Sequence, residues 1–84
     1  MDTIEAMKAR IQAKAESIVA RVAVGDKFTV RLDKKTTVTG IIKSARVDRV
    51  RVFGNSGDAV FGVTLVLPNG KDRELFVSRL PTVR

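Results

Sequence analysis

Apolar residues recur at steps of three and four through the first 22 positions: Ile4, Met7, Ile11, Ala15, Ile18 and Val22. That spacing predicts one amphipathic helix over residues 2–22, with a single stripe to bury. Asp2 is placed to cap it, and Glu5 stands three positions later as a capping box requires. Gly25 ends the pattern. The stripe has two candidate uses. It packs on the rest of the chain, or Ile4, Ile11 and Ile18, at heptad spacing, pair with a second copy.

From Val24 onward the period changes to two. In "KFTVRL" (27–32), Phe28, Val30 and Leu32 alternate with Thr29 and Arg31. The "DKK" at 33–35 reads as a polar turn, and "TTVTGIIKSA" (36–45) as a second strand in which Gly40 marks a bend, a bulge or a close approach. "RVRVF" (49–53) reads as a third strand, and the switch of parity between Val47 and Val50 suggests a bulge. "GNSGD" (54–58) has the composition of a loop. "AVFGVTLVL" (59–67), the "PNG" turn (68–70) and "RELFV" (73–77) form a hairpin. "SRLP" (78–81) then reads as a tight turn before a short last strand, "TVR".

One helix (1–23) followed by five or six short antiparallel strands (24–84) has too little material for two full sheets. It predicts a mostly β chain whose sheet closes into a small barrel. The phrases "VGDKFTVRL", "VTGIIKSA" and "GVTLVLPNGKDRELFVSRLPTV" resemble the small SH3-like barrels, over about 60 of the residues. The N-terminal helix adds a looser resemblance to the Sm-like proteins. The resemblance implies a barrel that binds RNA or partner proteins, and in the Sm-like case a ring. It assigns no residue a role.

Composition narrows the chemistry. The chain has 84 residues, with no cysteine and no histidine, which excludes disulfides, thiolate metal sites and imidazole acid–base chemistry. The acids are scattered, and no serine has a histidine to activate it. No cofactor, no metal and no catalysis are expected. "MDTIEAMKAR" carries acids and no continuous apolar core, unlike a secretory signal, and no run is long enough for a membrane span. A cytoplasmic chain is the expectation.

Charge gives the one positive hint. Sixteen basic and nine acidic residues leave a net +7, and residues 23–84 hold twelve of the bases and six of the acids. Lys43, Arg46, Arg49 and Arg51 crowd into "KSARVDRVRVFG". On one face of a strand, Arg49 and Arg51 would project about 7 Å apart, near the spacing of successive phosphates. Phe53 shares their parity and would offer a stacking ring. Lys34, Lys35, Lys71 and Arg73 would contribute at the rim. The expected function is therefore a nucleic-acid-binding module holding the phosphate backbone of RNA or DNA on a basic barrel face. The bland reading is the solvated side of an ordinary strand. An alternative of another class is a protein-interaction or assembly module, of the kind found in viruses and mobile elements, using the helix stripe or a barrel edge.

Overall fold

The computed structural model describes residues 3–54 and 56–83. Helix α1 runs Ile4–Ala20 and is capped by Thr3, whose hydroxyl accepts from the Ala6 amide at 3.1 Å. The expected cap, Asp2, lies outside the described residues. Ala15 is buried at the middle of the stripe, with Met7, Ile11 and Ile18 half-buried and Ile4 exposed. The helix stripe is thus spent largely on its own chain. Gly25 turns the chain out of the helical segment with φ of 93°, a value that side-chain-bearing residues rarely take.

Four strands follow: β1 (Lys27–Arg31), β2 (Thr37–Phe53), β3 (Ser56–Val66) and β4 (Asp72–Val77). They form one antiparallel sheet in the order β1-β2-β3-β4. Buried Val30, Val38, Ile42, Val63, Leu65 and Leu75 make the core on its inner face, joined by half-buried Val22, Phe28, Ala45, Leu67, Val77 and Leu80.

The sequence reading is corrected here in two respects. The segments 36–45 and 49–53 are one 17-residue strand, β2, because register shifts at Ile42/Ser44 and Val47/Arg49 absorb the parity changes. The second shift is the bulge that the Val47–Val50 spacing suggested, and it keeps Val47, Val50 and Val52 on the inner side. The hairpin connection is correspondingly shorter than "GNSGD", since β3 begins at Ser56.

The second correction concerns closure. The sheet is open, not an SH3-like or Sm-like barrel of five or six strands: β1 and β4 are both edges. The expected last strand contributes a single bridge, Val22 to Thr82, supported by Ala23 N–H to Pro81 O at 3.0 Å and Val83 N–H to Arg21 O at 2.7 Å. Pro81 has no amide to extend that pairing.

The long β2–β3 hairpin projects as an arm, and α1 packs along it. Principal extents of 50 × 28 × 19 Å and a radius of gyration of 14.3 Å follow from this arm. A chain of this length packed as a sphere-like domain would measure about 12 Å. Gly57 on the inner face of the arm leaves the space that Ile11 occupies. We expect Gly57→Val to loosen α1 while leaving β1 and the β3–β4 hairpin paired. Faster amide exchange confined to α1 and the arm would show this; unchanged exchange in α1 would contradict it.

Candidate functional site

Lys43, Arg46, Arg49, Arg51 and Phe53 do emerge on solvent-facing positions of β2. What surrounds them decides what they can do. Arg46 is opposite Gly62 on β3, and Gly62 is opposite Phe76 on β4. A side chain at Gly62 would meet the Arg46 guanidinium, so the glycine is a trough in which Arg46 lies flat across the sheet. There it reaches the Phe76 ring, 6.0 Å from its centroid, and donates to Glu74 and Asp48 at 3.1 Å each.

The other bases are paired in the same way. Arg49 donates to Asp48 at 2.9 Å, Lys43 to Asp72 at 2.6 Å, and Arg51 doubly to Asp58 at 2.9 Å. The Arg51 guanidinium also sits 5.6 Å from the Phe53 ring. Four bases therefore face four acids, Asp48, Asp58, Asp72 and Glu74, and the patch carries no net charge. This overturns the reading of a basic phosphate-binding face for RNA or DNA. Its bases are neutralised in place, and no barrel exists to present them. Phe53, 58% exposed, is covered by a cation on the chain itself and is not a bare stacking platform.

The rim residues do not join this patch. Lys34 and Lys35 lie in the β1–β2 turn, while Lys71 and Arg73 lie at the β3–β4 turn and the start of β4. The net +7 thus lies elsewhere, on the helix, on β1 with its turn, and near the chain's C-terminal end.

The ion pairs around Asp48 shift its carboxyl in the direction expected. Hydrogen bonds from Arg49 and then Arg46 hold the Asp48 carboxyl below its ordinary value. Backbone amides of Lys35 and then Thr36 do the same for Asp33, closing the β1–β2 turn. Glu74 and Asp48 raise Arg46, and Asp58 raises Arg51. A carboxyl depressed on folding contributes stability above its unfolded value, about 3.9, and loses it as pH falls through the folded one. The melting temperature is therefore expected to hold from pH 7 to near 4 and to fall below that. Asp48→Asn should make the acid-side fall shallower. An identical acid profile for that variant would remove Asp48 from the account.

The sequence reading missed a second feature. Ladder hydrogen bonds in an antiparallel pair alternate, so every second residue of an edge strand points its amide and carbonyl outward. Ile42 N–H donates to Asp26 O and Leu32 N–H to Thr36 O, which brackets the β1–β2 ladder. Within that frame Phe28 and Val30 bond inward to Gly40 and Val38, while Lys27, Thr29 and Arg31 present their backbone groups outward. On the other edge, Leu67 N–H donates to Lys71 O, and the same count leaves Asp72, Glu74 and Phe76 outward.

These two edges border one groove of ≈ 340 Å³, lined by Phe28, Thr29, Val30 and Arg31 on one side and Phe76, Val77, Ser78 and Arg79 on the other. Two residue signals pointed to it: Phe28 and Val30, which alternate on a strand of only five residues, and Pro81, which stops the last segment from pairing. Among the described residues, no group of three acids is placed to hold a metal ion. Nor is any helix long and apolar enough to cross a membrane. Compared with known proteins, the chain matches no family model, no curated protein and no solved structure.

Proposed function

We propose that this chain is a non-catalytic protein-interaction module that accepts an extended segment of a partner protein as an added strand in the groove between β1 and β4. The observation that carries this reading is the pair of unsatisfied sheet edges facing a common groove. Main-chain hydrogen bonding at such an edge supplies affinity for a strand, and side chains alternating above and below it supply selectivity. The apolar floor is Phe28, Val30 and Val77, which belong to the core or pack against it. The edges are short, as edges that avoid uncontrolled pairing are: five residues in β1 and six in β4.

The test uses proline, which deletes one backbone donor. Because the Thr29 amide points outward, Thr29→Pro should leave the β1–β2 ladder paired. Val30→Pro removes an inward bond and is the disruptive counterpart. Random twelve-residue peptides selected on the folded wild-type chain should be enriched in period-two apolar patterns. They should lose at least tenfold in affinity for Thr29→Pro, whose thermal melt stays cooperative. Selected peptides that bind the folded Thr29→Pro chain as well as wild type would refute strand addition at β1.

A further inference from the structure

We infer that the strand accepted in this groove alternates acidic and apolar residues, with its acids on the solvent face beside Lys27 and Arg31 and its apolar side chains beside Phe28 and Val30. The inference rests on the edge-addition reading above and specifies the partner's chemistry. It begins from parity. On β1, Lys27, Thr29 and Arg31 share the outer face, and the same three residues turn their backbone groups outward at the edge, with Thr29 and Arg31 lining the groove itself. An added strand in register places one side chain next to each of them on that face, at the close spacing of cross-strand pairs.

The charges around this edge are unspent. Among the described residues, Lys27, Lys34, Lys35 and Arg79 make no ion pair, in contrast to the paired bases of β2. Arg31 donates only to main-chain carbonyls, Asp33 O at 3.2 Å and Lys34 O at 3.3 Å, so its charge is not cancelled by a carboxylate. The acids nearby are Asp26 and Asp33, and Asp33 is engaged by the Lys35 and Thr36 amides at 2.8 Å each. Four bases, Lys27, Arg31, Lys34 and Lys35, against two acids leave the β1 side of the groove positive, and Arg79 adds a base on the opposite wall. Opposite-charge cross-strand pairs are favourable and like-charge ones are not.

The β4 side points the same way. Its outward residues Asp72 and Glu74 are already satisfied by Lys43 and Arg46. The wall opposite β1 is Phe76, Val77, Ser78 and Arg79, so an acidic strand seated on β1 meets no free carboxylate there. The inner parity is apolar on both sides, with Phe28 and Val30 from β1 and Val77 from β4. A strand with lysines in place of the acids would set them against Lys27 and Arg31 and be rejected.

The experiment compares three end-capped decapeptides by fluorescence anisotropy, alternating valine with glutamate, with serine or with lysine. Amide exchange is followed at Thr29 and Arg31. The glutamate peptide is expected to bind at least tenfold tighter than the serine peptide, to weaken as salt is raised, and to protect both amides. The lysine peptide is expected not to bind. Lys27→Glu with Arg31→Glu should reverse the order. Because Arg31 also closes the turn, Lys34→Glu with Lys35→Glu provides a second reversal that leaves that contact in place.

Equal binding of the glutamate and serine peptides, with Thr29 and Arg31 protected, would overturn the acidic preference and leave strand addition standing. If no peptide protects either amide, strand addition at β1 falls, and the preference with it.

Discussion

Leu65→Ala is expected to lower the unfolding free energy by about 2–5 kcal/mol, the range for truncating a fully buried leucine. Leu65 has no exposed surface and lies at the middle of the core, on β3 between Ile42 of β2 and Arg73 of β4. Its neighbours Val30, Val38, Val63 and Leu75 come from all four strands, so the hole cannot be filled by moving one of them alone. A chain of this size has about 4–13 kcal/mol of stability in total. The variant therefore loses a large share, and each 1 kcal/mol shifts the melting temperature by about 4–8 °C. Phe76→Ala is the matched control. That ring is 54% exposed, so its loss should remove the Arg46 contact and cost about 1 kcal/mol or less. Urea midpoints measure both. A Leu65→Ala loss smaller than that of Phe76→Ala would place the core elsewhere.

What could be read from the sequence follows from how local each signal is. The helix was legible because its stripe is set by residues three and four apart, and its inward use leaves only Ile4 fully outside. Strand parity was legible for the same reason, and the break between Val47 and Val50 announced a real bulge. The mistaken split of β2 came from treating that parity change as a strand end. No glycine or proline lies between Ile41 and Phe53, so nothing there turns the chain. Closure was not legible, because alternation at period two is the same in an open sheet and in a barrel. Whether the ends meet depends on the reach of segments at residues 22–24 and 81–83, far apart in sequence.

The charge reading failed for a related reason. Positive residues on β2 are visible as a run, but two of their partners arrive from β4. Glu74 is 28 positions from Arg46, and Asp72 is 29 from Lys43. Asp58 meets Arg51 only because β2 and β3 pair in one register. Acids so placed are invisible to a window along the chain. Lys34 and Lys35 contrast with them, because the local turn chemistry of Asp33 occupies the nearest carboxylate with backbone amides. The same local reading that overestimated β2 as a charged surface underestimated the β1 edge.

Gly40→Val is expected to destabilise the chain by about 1–3 kcal/mol through overpacking, although valine is the better strand former. Gly40 pairs with Phe28 across the β1–β2 ladder. A β-carbon there would stand 2.8 Å from the Val66 carbonyl oxygen and 2.9 Å from the Leu65 β-carbon. Neither obstacle is the free end of a flexible side chain: one is backbone of β3, and the other is the root of the most buried leucine. Relief requires β2 and β3 to separate, beside the first register shift at Ile42/Ser44. The gain in strand propensity, at most about 1 kcal/mol, does not offset that movement. Gly62→Ala provides the contrast on the same sheet, since the atoms nearest its new β-carbon would belong to the Arg46 side chain, at 3.2–3.4 Å. Arg46 can swing away from Phe76, so the loss is expected to stay below about 1 kcal/mol. Denaturant midpoints for both variants, with amide exchange at Ile42 and Val66, separate the two outcomes. Gly40→Val at wild-type stability would mean that β2 and β3 are not in close approach at this point. Equal losses for the two variants would mean that the cost lies in replacing glycine itself and not in the contact.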